Sequence, residues 1–198
     1  MVRRLLLTAE DDDGIVAEGR CTMTTDEYLY DTDETNQSRE VTYGIVREPP
    51  APFFSHQVLV LRIAKIWSDH VEPRQLGRVA VAPVDVVLDR ERALILQPDV
   101  LFVSRPRLSI IRDQVWGPPD LVAEVLSPGT ANRDRHEKLQ WYRQYGVREC
   151  WLVDGYSNTV TVVDFAGPSP VWRAAAGKES IRSTVLPDLE LSAFGLFA

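Results

Sequence analysis

The amino-acid sequence predicts a mixed α/β fold, in which a mixed β-sheet is flanked by helices. Helical periodicity is confined to a few segments, and these alternate with groups of apolar, strand-like runs in the order helix, strands, helix, strands. The regular strand–helix repeat of a doubly wound sheet is not seen. With 198 residues, 44% of them hydrophobic, the chain can bury one substantial core. We therefore expect a single domain over residues 21–198, preceded by a variable arm over residues 1–20.

The first half of the expected domain contains two helical segments and a hairpin. Thr24 or Thr25 is a suitable N-cap, and acidic residues follow in the first turn. Residues 39–47 alternate between polar and apolar side chains around Gly44, a pattern typical of a strand or a short hairpin. Between residues 56 and 67, apolar side chains recur at steps of three and four, which indicates an amphipathic helix with one buried face.

The second half combines strand-like runs with one more helix. Residues 132–145 contain helix formers, and Gly146 follows them as a C-terminal cap; the aromatic residues of this helix are expected to pack it on the sheet. Residues 159–165 should form a hairpin with the preceding strand, and the tail beyond residue 166 should supply an edge strand and loops. The four strand-like runs span residues 78–88, 98–103, 121–126 and 149–153.

The composition predicts a soluble protein of the cytoplasm. No apolar run approaches the roughly twenty residues of a membrane span, and the start of the chain lacks the length and cleavage site of a signal peptide. Cys21 and Cys150 are the only cysteines, so neither a disulfide framework nor a thiolate metal site is expected. The formal net charge of −7 disfavours binding to phosphate backbones, although arginines are more frequent between residues 105 and 148.

Two acidic residues lie in apolar runs that otherwise resemble buried strands. Asp99 is followed by four apolar residues, and Glu124 is surrounded by apolar residues of the next predicted strand. An ionised carboxylate in such a place costs several kcal/mol unless it is paired or bound to a metal. If the two strands are neighbours, a shared cation neutralises both acids. The sequence therefore predicts a metal site formed by Asp99 and Glu124.

The two acids stand within a series of short motifs. These are Asp85-Val86, Gln97-Pro98-Asp99-Val100, the run PDLVAEVLSPGT from Pro119 to Thr130, Asp134-Arg135-His136-Glu137-Lys138, Tyr142 and the run GVRECWLVD from Gly146 to Asp154. In this order they resemble the Uma-two family of proposed restriction endonucleases, which is similar to the PD-(D/E)xK nuclease superfamily. The likeness covers about residues 40–165. It implies a restriction-endonuclease-like mixed sheet flanked by helices, and Mg²⁺- or Mn²⁺-dependent hydrolysis of DNA.

The resemblance also implies site residues. Asp99 and Glu124 become the strand acids that hold Mg²⁺ (or Mn²⁺), and Glu40 matches an acid that opens the family's domain and can join the metal site. The superfamily pattern places a lysine two residues after the second acid, but this position is Leu126 here. In the resembling family a lysine of the following helix takes that place, and Lys138 matches it. Asp99, Glu124 and Lys138 are therefore the predicted catalytic residues.

Several nearby residues have a purely structural alternative. Asp134 lies four residues before Lys138, so an ion pair on the helix surface competes with a catalytic role for the lysine. Asp120 stands at the start of a strand and is more typical of a turn or cap than of a ligand. Asp85 can face either the site or solvent. His56 is more typical of a capping or packing histidine than of a catalytic base.

Three functions compete at this point. The first is a Mg²⁺-dependent endonuclease acting on DNA; the second is a non-catalytic nucleic-acid- or protein-binding module on a nuclease-like core, favoured by Leu126 and the acidic net charge. The third is a metal-dependent hydrolase of a small phosphate ester.

A homodimer is also expected, from the resemblance and from six apolar residues of the tail. The alternative for these residues is packing on the protein's own core. These are Leu186, Leu189, Leu191, Phe194, Leu196 and Phe197.

Overall fold

The computed structural model describes residues 22–31, 38–126 and 133–198, with the backbone alone at residues 133–135. The predicted arm over residues 1–20, Cys21 and the turn after Leu126 therefore lie outside the described residues. The elements are α1 (Thr25–Leu29), β1 (Glu40–Thr42), β2 (Ile45–Arg47), α2 (Phe54–Val71), β3 (Gly77–Val81), β4 (Val86–Asp89), β5 (Leu94–Leu96), β6 (Val100–Ser104), a 3₁₀ helix (Arg105–Ile110), β7 (Val115–Trp116), β8 (Leu121–Val125), α3 (Arg133–Tyr145), β9 (Glu149–Asp154), β10 (Thr159–Asp164), β11 (Val171–Ala176) and α4 (Ala193–Phe197).

The described strands form two sheets. The larger sheet has six strands in the order β11-β10-β9-β8-β6-β3. In it β8 and β9 run parallel, with α3 between them in the chain, and the other neighbours are antiparallel. The smaller sheet has five strands in the order β2-β1-β5-β4-β7, and β4 runs parallel to β7. Both sheets are mixed and flanked by helices, which confirms the predicted fold class and adds a second sheet to it.

The larger sheet has a hydrophobic core on each face. Along β9 successive side chains alternate between them: Trp151 and Val153 join a core with α2 (the α2 core), whereas Cys150 and Leu152 join a core with α3 (the α3 core). The α3 core also contains buried residues of β4 and β5, so the smaller sheet covers that face together with α3. Coverage on both faces explains why the central strands β6, β8 and β9 are largely buried and mostly apolar.

Helices α1, α2 and α3 agree with the sequence prediction, whereas the 3₁₀ helix was not predicted and α4 lies in the tail, where only an edge strand and loops are expected. Thr24 caps α1: its hydroxyl accepts a hydrogen bond from the backbone N–H of Glu27, whose carboxylate accepts one from the N–H of Thr24. The predicted amphipathic helix is α2, and its Ile63 and Trp67 are fully buried. α3 ends directly before Gly146, whose φ of 95° is the left-handed conformation that glycine adopts readily. Within the described ranges, no helix combines the length and the apolar character that crossing a lipid bilayer requires.

The strand-like run over residues 78–88 is the main departure from the predicted elements. It forms two strands, β3 and β4, which belong to different sheets. Pro83 lies between them, and a proline lacks the N–H group that would continue a strand ladder. β5 and β7 also lie outside the predicted runs. Together with the predicted hairpin of β1 and β2, these short strands build the second sheet.

The apolar tail packs on the protein's own core, which removes it as support for the expected homodimer. Leu186 and Leu196 are buried in the α2 core, and three of the other tail residues pack against that core partly buried. Phe194 is the exception, at 63% exposed. Intramolecular packing is therefore the correct interpretation of this segment, and the homodimer is left as a prediction from the family resemblance.

Candidate functional site

The predicted site residues line one pocket of about 520 Å³. Glu40 comes from β1 of the smaller sheet, Glu124 comes from β8 of the larger sheet, and Asp99 directly precedes β6. Lys138 enters from the second turn of α3. The pocket therefore draws its charged side chains from both sheets and from the helix that follows β8.

Asp99 is held by neighbours from two elements. The antiparallel register of β6 and β8 brings it opposite Glu124, in agreement with the predicted neighbouring strands. The backbone N–H of Val125 donates to Asp99 Oδ2 at 2.7 Å, and His56 Nε2 lies 3.3 Å from the same oxygen. The hydrogen bond to Asp99 raises the pKa of His56, against the opposing effect of burial. Both contacts are made to the same oxygen of the Asp99 carboxylate, Oδ2.

The ammonium group of Lys138 lies between two of the acids. Its Nζ is 2.8 Å from Glu40 Oε1 and 3.3 Å from each carboxylate oxygen of Glu124. Burial alone would lower the pKa of Lys138, but the carboxylates of Glu124 and Glu40 raise it, so the side chain carries its charge at neutral pH. The alternative partner predicted for this lysine, Asp134, has its side chain outside the described residues.

Glu124 titrates near neutral pH. Burial raises the pKa of Glu124 to about 7, an effect that Lys138 opposes and that the charges of Asp99 and Glu40 reinforce. Tyr142 donates a hydrogen bond of 2.5 Å from its hydroxyl to Glu124 Oε1. Burial, together with the nearby Glu124 charge, raises the pKa of Tyr142 well above its ordinary value. The phenol therefore stays protonated and remains a donor to this carboxylate.

A set of hydrogen bonds fixes Glu40. The backbone N–H of Gln97 donates to Glu40 Oε1 at 2.9 Å, the same oxygen that Lys138 contacts. The Gln97 side chain donates through Nε2 to Asp85 Oδ1 at 2.9 Å, and its Oε1 accepts from the Ser38 hydroxyl at 2.6 Å. Asp85, whose orientation the sequence leaves open, therefore faces protein groups beside the site and supports Glu40 through Gln97.

Asp120 has the structural role that its sequence position favours. Its side chain is 1% exposed and accepts the backbone N–H of Ser104 at 2.8 Å. Arg107 and Arg148 lie 3.2 Å and 3.5 Å from its Oδ1. These donors satisfy the buried carboxylate without a metal, and Asp120 does not line the pocket.

Two further residues, His56 and Tyr142, take part in the site in ways that the sequence does not predict. His56, for which the sequence favours a capping or packing role, also lines the pocket and contacts Asp99. Tyr142 packs α3 on the sheet as predicted, but it also reaches Glu124. Its spacing of four residues from Lys138 places both side chains on one helix face and is the signal that identifies it. His56 has no such signal, because its contact joins segments that are distant in the sequence.

The carboxylates have the chemistry that a divalent cation requires. Mg²⁺ and Mn²⁺ prefer hard oxygen ligands, and Asp99, Glu124 and Glu40 supply such oxygens in one pocket. Within the described ranges, no group of three or more acidic, histidine or cysteine side chains is already arranged to hold a metal ion. The Lys138 ammonium lies between Glu40 and Glu124 and contacts both carboxylates. The pocket therefore offers the oxygen ligands that a divalent cation prefers. The Lys138 ammonium competes with such a cation for Glu40 and Glu124.

Mixed sheets flanked by helices, with strand acids and a lysine in one pocket, place the fold in the restriction-endonuclease-like class. A crystal structure of a putative nuclease belonging to DUF820, from Anabaena variabilis, has this fold: its TM-score is 0.75 at 19% sequence identity, over 88% of this chain and 97% of that chain. A model of the Uma2 family, described as "Putative restriction endonuclease", matches residues 25–193. The chain belongs to the Uma2 family. A comparison with curated proteins gave no match. Family membership supports a nuclease-like function.

Proposed function

We propose that this protein is a divalent-metal-dependent nuclease that hydrolyses phosphodiester bonds of DNA. The observation that carries the proposal is the pocket in which acids from two sheets surround one charged lysine. Membership of the Uma2 family supports nuclease-like activity in general. The pocket residues Asp99, Glu124, Glu40 and Lys138 support a specific assignment of roles.

The acids would hold the cation. Asp99 and Glu124, with Glu40, are the residues that would bind Mg²⁺ or Mn²⁺. Such an ion, when bound, supplies charge neutralisation at the scissile phosphate and a water of lowered pKa. The chain keeps the ligands in place: the N–H of Val125 orients Asp99, and the hydroxyl of Tyr142 orients Glu124. A carboxylate fixed in this way loses less rotational freedom when it binds a ligand.

Lys138 would act on the phosphate. Its ammonium is kept protonated by the neighbouring carboxylates, so it can stabilise negative charge that develops on a phosphoryl oxygen. Leu126 occupies the position of the lysine in the superfamily pattern and lines the same pocket. A lysine from α3 would therefore take the place of one supplied directly after β8, with its ammonium group in the same cavity.

A non-catalytic nucleic-acid- or protein-binding module on the same core is the second candidate. The 2.8 Å contact of Lys138 with Glu40 favours it, because an ammonium among the carboxylates already neutralises part of their charge. The formal net charge of −7 also weakens attraction to a phosphate backbone.

Nicking of supercoiled plasmid in the presence of Mg²⁺ or Mn²⁺ distinguishes the two candidates. Asp99→Ala should abolish the activity. Asp69→Ala is the matched control, because Asp69 is an exposed acid of α2 that pairs with the surface residue Lys65 and does not line the pocket. Equal nicking by wild type and Asp99→Ala contradicts the assigned site. Plasmid binding by the wild type without any nicking favours the binding module.

A further inference from the structure

The imidazole ring of His56 is a polar group of the pocket wall that has no role in the proposed hydrolysis. It lies in the first turn of α2, directly after the proline-rich segment that lines the pocket. Its side chain is 15% exposed, and that of its partner Asp99 is 19% exposed. Its Nδ1 is buried and has no hydrogen-bond partner among the described residues. Nε2, 3.3 Å from Asp99 Oδ2, is thus the nitrogen that acts on the site.

Two groups contact the same oxygen of Asp99. The backbone N–H of Val125 is fixed by β8, and its 2.7 Å bond defines one point of the carboxylate. With this one hydrogen bond alone, the carboxylate could still rotate about Oδ2. The His56 ring approaches the same oxygen from another element and restricts the pivot. The other oxygen, Oδ1, is then the one that these two contacts leave for a ligand in the pocket.

We propose that His56 is a positioning residue for the metal site, whose Nε2–H orients the Asp99 carboxylate toward a divalent cation. The inference rests on the proposed function. Hydrogen-bond partners of metal ligands orient those ligands, and their removal typically lowers metal affinity by about 10- to 100-fold. His56 acts through Asp99 and does not itself bind the cation.

Four variants separate the hydrogen bond from packing. His56→Leu removes the donor and keeps an apolar side chain of moderate size. His56→Gln retains an N–H group near the position of Nε2, whereas His56→Asn places it nearer that of Nδ1. His70→Leu is the matched control, because His70 is a buried histidine of the same helix that does not line the pocket.

Titration calorimetry of each full-length variant with Mn²⁺ provides a measurement independent of cleavage. We expect His56→Leu to weaken Mn²⁺ binding at least about tenfold, His56→Gln to restore most of the affinity, and His56→Asn to restore little. His70→Leu should bind as the wild type does.

Wild-type affinity in His56→Leu overturns the inference, and so does equal weakening by His70→Leu. If circular dichroism shows that His56→Leu does not fold, the Gln and Asn variants decide, and equal affinities for those two overturn it. A wild type that binds no Mn²⁺ contradicts the proposed metal-dependent function itself, and the inference falls with it. A wild type that binds Mn²⁺ beside unaffected His56 variants contradicts the inference alone.

Discussion

Replacement of Lys138 by methionine tests the charge balance of the pocket. Methionine has a similar length, so the substitution removes the ammonium and leaves little empty volume. In the wild type the ammonium is 2.8 Å from Glu40 and 3.3 Å from Glu124, and the three side chains are at most 18% exposed. Its loss leaves two poorly solvated carboxylates without their counter-charge. Breaking a buried ion pair in this way destabilises a protein by about 3–5 kcal/mol.

The loss of stability in Lys138→Met should depend on pH, because Glu124 can take up a proton. Its pKa is about 7 in the folded protein against 4.5 for the unfolded chain, so protonation of Glu124 favours folding. That contribution is present below pH 4.5 and disappears as the pH rises through about 7. Lys138 opposes the upward shift, so its removal raises the pKa of Glu124 further. We therefore expect a destabilisation of about 3 kcal/mol near pH 8 and a clearly smaller one near pH 5.

Urea unfolding of the metal-free protein at both pH values measures these changes. Lys65→Met is the matched control, because Lys65 pairs with Asp69 on the surface of α2, where the side chains are 71% and 65% exposed. Such a pair contributes at most about 1 kcal/mol. Mn²⁺ should restore much of the stability of Lys138→Met, because the cation replaces the lost charge. Equal small losses for the two lysine variants would refute the reasoning.

The remaining predictions concern Glu124, Tyr142 and the oligomeric state. Glu124→Gln should flatten the pH dependence of the unfolding free energy between pH 4.5 and about 7. If urea unfolding at several pH values gives the variant the same pH dependence as the wild type, the raised pKa of Glu124 is contradicted. The same variant should lose Mn²⁺ binding in calorimetry. Tyr142→Phe should lower the rate of plasmid nicking about tenfold or more, whereas Tyr145→Phe, which loses a bond to Asp89 outside the pocket, should not; equal rates for both refute the role of Tyr142. Light scattering should give twice the monomer mass at micromolar concentration, and a monomer mass excludes the homodimer.

The parts of the fold with strong local signals could be predicted from the sequence. The cap at Thr24, the apolar period of α2 and the hairpin of β9 and β10 each depend on residues close together in the chain. The smaller sheet could not be predicted, because its strands are short and gain their stability from distant partners. β1, for example, pairs with β5, more than fifty residues away. Local periodicity contains no information about that pairing.

Some residues of the candidate site could likewise be predicted from the sequence, and others could not. A general rule, that a carboxylate in an apolar strand needs a counter-charge, was sufficient to select Asp99 and Glu124. Spacing alone favours a surface ion pair for Lys138, and only the family resemblance assigns this lysine to the pocket. His56 and Gln97 take part through contacts across elements, and no rule based on spacing would select them.

The contacts of Lys138 also connect the two sheets mechanically. Glu40 belongs to β1 of the smaller sheet and Glu124 to β8 of the larger sheet, so the ammonium cross-links them. A fluctuation that separates the sheets must break this cross-link even when each sheet keeps its own hydrogen bonds. Occupancy of the pocket and docking of the smaller sheet are therefore thermodynamically linked. The amide hydrogens of β1 should exchange more slowly with solvent when a ligand bridges the same acids, which makes this short strand an internal reporter of binding.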